Sequence, residues 1–227
     1  MEPKLWACVL ALLPSLRPGA ILDAGANDGS TSALIWKHTR PRPLVSVEPI
    51  EVNVRALRDK LRGGEATVVR GGLGARPGNA SYPARLDAHK AGLHTQMGRL
   101  GGYAWQDALP DARVPFPVHT IDELFRRGPP LALAHLDVEG AELEALEGAR
   151  ATLGLDRPVL TVETFPKTNA TRHALLVGML RAAEYELFMV DEVCGRPRDC
   201  RNMIALPRGH PNATALRCRA VAKMSQQ

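Results

Sequence analysis

No stretch of this chain is apolar for long enough to cross a bilayer. The run Leu5–Leu13, behind Lys4, is nine residues, well short of the ~20 a spanning helix needs. It has the look of a short signal h-region, but no A-x-A-like cleavage site follows. The first core strand begins at Ala20, so cleavage would cut into the fold. The reading preferred here is a buried helix leading into a sheet; the stub of an anchor removed from a longer chain is the alternative. Aromatics are scarce, at 4%. Neither a run of like charge nor a basic-aromatic track is present, and the net charge of +5 is spread along the chain. These absences argue against a nucleic-acid partner. Internal repeats and interdomain linkers are also missing, and 227 residues suit one domain with a full-sized core.

Cysteine is sparse: Cys8, Cys194, Cys200 and Cys218. The spacing fits no common zinc site and no His pair completes one, so no metal is expected. Cys194 and Cys200 bracket Gly195, Pro197 and Asp199, a loop that could close as a disulfide. Three N-x-[ST] sequons begin at Asn79, Asn169 and Asn212. Sequons and paired cysteines together lean toward a glycoprotein of the secretory-pathway lumen.

What is present is an acid at the end of each apolar run. Ala20-Ile21-Leu22 ends in Asp23 and turns through Gly25, Asn27, Asp28 and Gly29 into a helical stretch. A second run, Leu44–Val47, ends in Glu48, 25 residues after Asp23. Strand, Gly-rich turn, helix, strand and ribose-spaced acid describe a nucleoside-binding Rossmann-like half. The turn is D-x-G-A-N-x-G and not G-x-G-x-x-G, and its leading acid would repel a pyrophosphate. That argues against a NAD-dependent reductase. An acid there suits an ammonium and a sulfonium, as in S-adenosylmethionine (SAM). Gly25 can adopt positive φ and let a ligand approach the backbone. Asp28, Ser30 and Thr31 can also cap the next helix. Asp23, Gly25, Asn27, Asp28, Gly29 and Glu48 are therefore the expected cofactor residues.

Further along, Val54, Leu57 and Leu61 recur at helical spacing, and Ala66–Arg70 reads as a third strand. Residues 71–117 break the pattern and read as one long irregular loop, a candidate substrate lid. Thr120-x-x-Glu123 is a capping box for a helix over Ile121–Arg127. Leu131–Leu136 is a buried strand ending in Asp137, and Leu143, Leu146 and Leu153 line one face of the helix after it. Pro158–Val162 ends in Glu163. A helix near Arg172–Ala182 and two late strands, Tyr185–Val190 and Asn202–Leu206, complete the pattern. The expected fold is α/β: a Rossmann-like, seven-stranded, mostly parallel sheet with helices on both faces. Residues 1–19 form the lead-in, 20–207 the domain and 208–227 a tail.

Asp23, Glu48, Asp137 and Glu163 all end parallel strands, the edge where open α/β sheets bind ligands. Glu139 and Glu142 lie just after Asp137, where a helix dipole alone would favour them by roughly 0.3–1 kcal/mol. Asp23–Gly29, Val118–Leu124, His135–Glu142 (H-L-D-V-E-G-A-E) and Asn202–Pro207 resemble, in order and spacing, the FkbM family of SAM-dependent methyltransferases. The resemblance covers roughly residues 20–207. It implies the class I SAM-methyltransferase fold, SAM as cofactor, and O-methylation of a hydroxyl on a sugar, glycan or small natural product. Two departures stand out. His135 replaces a frequent Lys, and Gly71–Gly74 lacks a polar side chain that often faces adenine. A hydroxyl needs help to lose its proton. Asp137, Glu139 and Glu163 are the candidate catalytic residues, with His89 and His94 as substrate-side candidates from the long loop. The competing readings are a SAM-fold module that binds without catalysis and an N-methyltransferase acting on protein.

Overall fold

The structure, a computed structural model, describes residues 2–88, 112–194, 198–213 and 221–224. Its main sheet is built from β1 (Ala20–Ala24), β2 (Leu44–Glu48), β3 (Ala66–Arg70), β7 (Leu131–Leu136), β8 (Val159–Thr164), β9 (Tyr185–Val193), β10 (Arg201–Pro207) and β11 (Val221–Lys223). The order is β11-β9-β10-β8-β7-β1-β2-β3. Five central strands run parallel, and β10 enters antiparallel between β8 and β9. The seven expected strands are all there. The short β11, in the segment expected to be a tail, pairs with β9 as an eighth.

Every residue of β1, β7 and β8 is buried, as continuous apolar runs are when helices cover both faces of a parallel sheet. On one face lie α1 (Pro3–Leu12), α2 (Ser30–Thr39) and α3 (Glu51–Lys60), sealing Ile21, Leu133 and Ile204 beneath Leu5, Ile35 and Leu57. The N-terminal apolar run is thus a buried helix against the sheet. No described helix is long and apolar enough to cross a membrane. On the other face are α4 (Ile121–Phe125), α5 (Glu142–Glu147), α6 (Arg150–Leu155) and α7 (Ala170–Ala182), which pack Ile121, Leu146, Leu153 and Leu180 on Leu22, Leu136 and Val162. Each fully buried leucine contributes roughly 1.5–3 kcal/mol.

Two local expectations need correction. Residues 71–117 are not simply an irregular loop. They include β4 (Gly72–Leu73), β5 (Gly78–Pro83) and β6 (Arg113–His119), a small sheet in the order β4-β6-β5 with its own core of Tyr82, Phe116 and Val118. The segment 89–111 between β5 and β6 lies outside the described residues. Secondly, the helix carrying Leu143, Leu146 and Leu153 is two helices. It breaks at Gly148, where a Cβ would lie 2.1 Å from the Gly74 carbonyl oxygen. Asp122 then restarts it, accepting from the backbone N–H of Ala151 at 3.0 Å and of Thr152 at 2.8 Å. The N-cap half of the capping box is present: the Thr120 hydroxyl accepts from Glu123 N–H at 3.1 Å.

Candidate active site at the carboxyl edge of the sheet

Two turns meet at this edge. The first follows β1, with Gly25 at φ +80°, Asn27 at +50° and Gly29 at +82°. The second follows β7, with Glu139 at +53° and Gly140 at +100°. Asp137 N–H donates to the Ala24 carbonyl at 3.0 Å, and a Cβ on Gly25 would lie 1.7 Å from the Asp137 carbonyl oxygen. Only glycine therefore lets the two turns touch. Left-handed backbone at a glutamate is uncommon and costs about 1–3 kcal/mol. Glu142 stabilises it, its Oε1 accepting from Val138 N–H at 3.2 Å and Gly140 N–H at 3.0 Å. Holding this turn is thus the role Glu142 visibly plays.

The turn after β1 is held from below. Asp23 is fully buried. Ser32, on α2, donates to its Oδ2 at 2.5 Å, and Ser46, on β2, lies 2.8 Å from the Ser32 hydroxyl. Burial, opposed by the Ser32 bond and aided by Asp137 and Glu48, pushes the Asp23 carboxyl up to about 7. Glu48 Oε2 accepts from Asn27 N–H at 3.0 Å. Its Oε1 accepts from Ile50 N–H at 2.9 Å and the Asn53 amide at 3.3 Å. Desolvation outweighs these bonds and raises Glu48 to about 7. Asp28 plays a capping role: it accepts from Ser30 N–H at 3.0 Å and pairs with Lys60 at 2.6 Å, and its carboxyl sits below the ordinary range.

The edge after β7 and β8 differs in kind. Asp137, Glu139, Glu142 and Glu163 face one another. Burial first, then the charges of Asp137 and Glu142, lifts Glu139 to about 8. Burial raises Glu142 to about 7. Glu163 is pushed well above the carboxylate range by burial and by Asp137, Glu142 and Glu139. Among the described residues no Lys or Arg forms an ion pair with Glu139, Glu142 or Glu163; Arg172 pairs instead with Glu144. Cys194 and Cys200 form a disulfide, with Cys200 Sγ 2.9 Å from Glu163 Oε1. Asn202 stands opposite Glu163 across the β10–β8 pair. His89 and His94 lie outside the described residues.

Sequence reasoning named Cys200 as a disulfide partner and Asn202 as part of a family-like segment. It missed Ser32, Ser46 and the placement of Cys200 and Asn202 beside Glu163, which follows only once β10 is known to run antiparallel to β8. His135 takes no cationic part. It is buried under the edge of Trp6, with ring centroids 5.2 Å apart, its Nδ1 lies 2.7 Å from the Thr161 hydroxyl, and desolvation lowers it to about 4.

Residues 23–187 match the family model described as the methyltransferase FkbM domain, and the chain belongs to the FkbM methyltransferase family. The cofactor of this class is S-adenosylmethionine. Among solved structures, the chain is similar to methyltransferase FkbM from Methylobacillus flagellatus KT, at 18% identity and TM-score 0.55, covering 83% of this chain and 43% of that one. The chain thus spans under half the length of that relative. It is also similar to precorrin 8w decarboxylase of Methanobacterium thermoautotrophicum, at 10% identity and TM-score 0.51, covering 89% of each chain. Fibrillarin from Aeropyrum pernix, solved with natively bound S-adenosyl-L-methionine, aligns at 17% identity and TM-score 0.49 over 89% of this chain and 74% of that one. No curated protein sequence matches.

The first turn fits such a cofactor. Asp23 Oδ1 and Asn27 Oδ1 are buried acceptors that meet no donor, and a buried acceptor left without a donor is costly. An ammonium and ribose hydroxyls are donors of the kind these atoms lack.

Proposed function

We propose that this chain transfers a methyl group to a hydroxyl of a sugar, glycan or small natural product. The observation that carries the reading is the cluster of mutually facing carboxyls at the carboxyl ends of β7 and β8. Bound SAM supplies an electrophilic methyl on a sulfonium. Glu48, preset by three protein donors, keeps lone-pair capacity on Oε2 for a ribose hydroxyl. Asp23 offers negative charge below the turn. Gly25 and the left-handed backbone at Asn27 leave the turn open to a ligand from above.

Proton removal falls to the acceptor half. A base works best with a pKa near the operating pH. Glu139, at about 8, lies nearer that range than an ordinary surface carboxylate, and burial and the neighbouring acids push Glu163 upward as well. Asp137 sits between the halves, close to Asp23, Glu48 and Glu163 alike, and is either the base or a partner of the methionine ammonium. The small β4-β6-β5 sheet flanks the edge and borders the substrate side.

Incubation with SAM and a panel of hydroxylated glycans and small molecules tests this, read as a mass gain of one methylene on an acceptor. Methylated amines in place of hydroxyls would reassign the protein to N-methylation, and binding without any product would make it a non-catalytic module. We also propose maturation in an oxidising lumen, supported by the Cys194–Cys200 bridge and the exposed sequon at Asn79. Peptide mapping of non-reduced protein from its host checks it: free thiols and bare sequons there would move it to the cytosol.

A further inference from the structure

The bridge does more than close a loop. Because β10 runs antiparallel to β8, Asp199 and Cys200, which lead into β10, lie at the carboxyl end of β8. They grip that end at two points. Cys200 Sγ lies 2.9 Å from Glu163 Oε1. Asp199 Oδ2 accepts from the N–H groups of Lys167 at 2.8 Å and Thr168 at 2.7 Å, and from the Thr168 hydroxyl at 3.1 Å.

A disulfide sulfur carries no hydrogen, so bridged Cys200 has nothing to donate to Glu163. Glu163 Oε2 is buried and meets no donor either. The acids facing Glu163 are Asp137 after β7, Glu139 in the turn, and Glu142 on α5, and with burial they push its carboxyl well above the carboxylate range. On the α7 side the titratable neighbour is His173, whose Nδ1 lies 2.8 Å from the Thr164 hydroxyl. On β10 the positive charge is Arg201, which donates to the carbonyls of Arg198 and Cys200. Neither cation source bonds to Glu163.

We propose that Cys200 is a positioning residue for Glu163, and that opening the bridge turns a sulfur that can only accept into a thiol that donates to this carboxyl. The inference rests on reading Glu163 as an acid of the acceptor site. Reduction by a dithiol balances simply. The S–S bond breaks, each sulfur gains a proton, and the two electrons come from the dithiol, which closes into its own disulfide. A donor aimed at a carboxylate favours its ionised form. In the bridged chain burial and the surrounding acids Asp137, Glu142 and Glu139 hold Glu163 toward its neutral form. In the reduced chain it ionises at lower pH and becomes available as a base.

The test follows the Glu163 carboxyl by 13C NMR, assigned by difference from Glu163→Gln, in bridged protein and in protein reduced with dithiothreitol. Thiol labelling verifies the redox state and far-UV circular dichroism the fold. Reduction should lower the titration midpoint by about one pH unit. Cys194→Ser leaves Cys200 as a permanent thiol and should give the reduced midpoint without reductant. Cys200→Ala should keep the high midpoint and ignore reductant. Equal midpoints in bridged and reduced protein, or a Cys194→Ser protein that titrates like Cys200→Ala, would overturn the proposal. The readout needs no acceptor. A redox-independent midpoint in an active methyltransferase sinks this inference alone, whereas a redox-dependent midpoint without hydroxyl methylation sinks only the proposed acceptor chemistry.

Discussion

The two halves of the carboxyl edge solve the same problem in opposite ways. Around β1 and β2, buried acids are matched with protein donors: Ser32 for Asp23, and the Asn27, Ile50 and Asn53 N–H groups for Glu48. Around β7 and β8, buried acids mostly face other acids, and Glu163 rests on a sulfur. The first half is a receptor preorganised by its own hydrogen bonds. The second is a store of protons, stable only while some of its carboxyls stay neutral or a cation arrives. One sheet edge can thus hold a cofactor on one side and do acid-base work on the other.

The sharpest way to break the comparison is to neutralise acids on each side. Glu163→Gln, Glu139→Gln and Asp137→Asn, measured for both SAM affinity and turnover, should separate. The variant that removes the base should lose transfer by roughly 10²–10⁴-fold while binding SAM nearly as well as the parent. If Asp137 holds the ammonium, Asp137→Asn weakens SAM binding itself. Full turnover in all three would end the carboxylate-base account and turn attention to His89 and His94.

Next in size is the contact that joins the halves. Gly25→Ala combines positive φ with a Cβ 1.7 Å from the Asp137 carbonyl oxygen. A loss of about 3–5 kcal/mol is expected, a melting-temperature drop of roughly 6–20 °C for a chain of this size. Thermal unfolding within 2 °C or so of the parent would mean the two turns do not touch in this way.

On the cofactor side, Glu48→Ala should weaken SAM by about 1.5–3 kcal/mol, the range for hydrogen bonds to a charged group, with calorimetry as the readout. Unchanged affinity in a folded variant would remove Glu48 from the site.

The same acids also set how stability depends on pH. Asp23, Glu48, Glu139 and Glu142 titrate at about 7–8 in the folded chain, above their unfolded values near 4. The folded state therefore binds more protons than the unfolded state, and stability falls as pH rises through that range. His135 acts oppositely. Lowered to about 4, it withdraws stability as pH falls from about 6.5 toward 4. Denaturant midpoints of the ligand-free protein should decline from about pH 7.5 to 8.5, above the range in which the lowered histidines His135, His173 and His210 contribute. A rising midpoint across that interval would mean these acids are solvated and not clustered.

Much of this edge was legible in the sequence because its signals are local. An apolar run ending in Asp23, two glycines and Glu48 at ribose spacing describe the first half with no tertiary information, and Asp137 and Glu163 repeat the run-then-acid pattern. Whatever depended on distant contacts was hidden. β6 carries Pro115 and Pro117, which read as strand breakers. It survives because β4 pairs only with Val118 and His119, so the proline nitrogens need no partner on that side. The break between α5 and α6 was invisible because the Gly74 carbonyl that enforces it lies 74 residues upstream of Gly148. Glu48 looked like a free ribose ligand, yet the protein engages both of its oxygens. The approach of Cys200 to Glu163 follows from strand direction, which apolar periodicity does not carry.

The most direct test of the central claim, that this edge holds buried carboxyls partly protonated until a cation arrives, is to count protons as the cofactor binds. SAM should be titrated calorimetrically near pH 7 in buffers of different ionisation enthalpy. A cation arriving beside carboxyls that titrate near 7–8 favours their ionised forms, so the account predicts binding with net release of protons to the buffer. Binding with proton uptake or no proton change, or no binding at all, would contradict it.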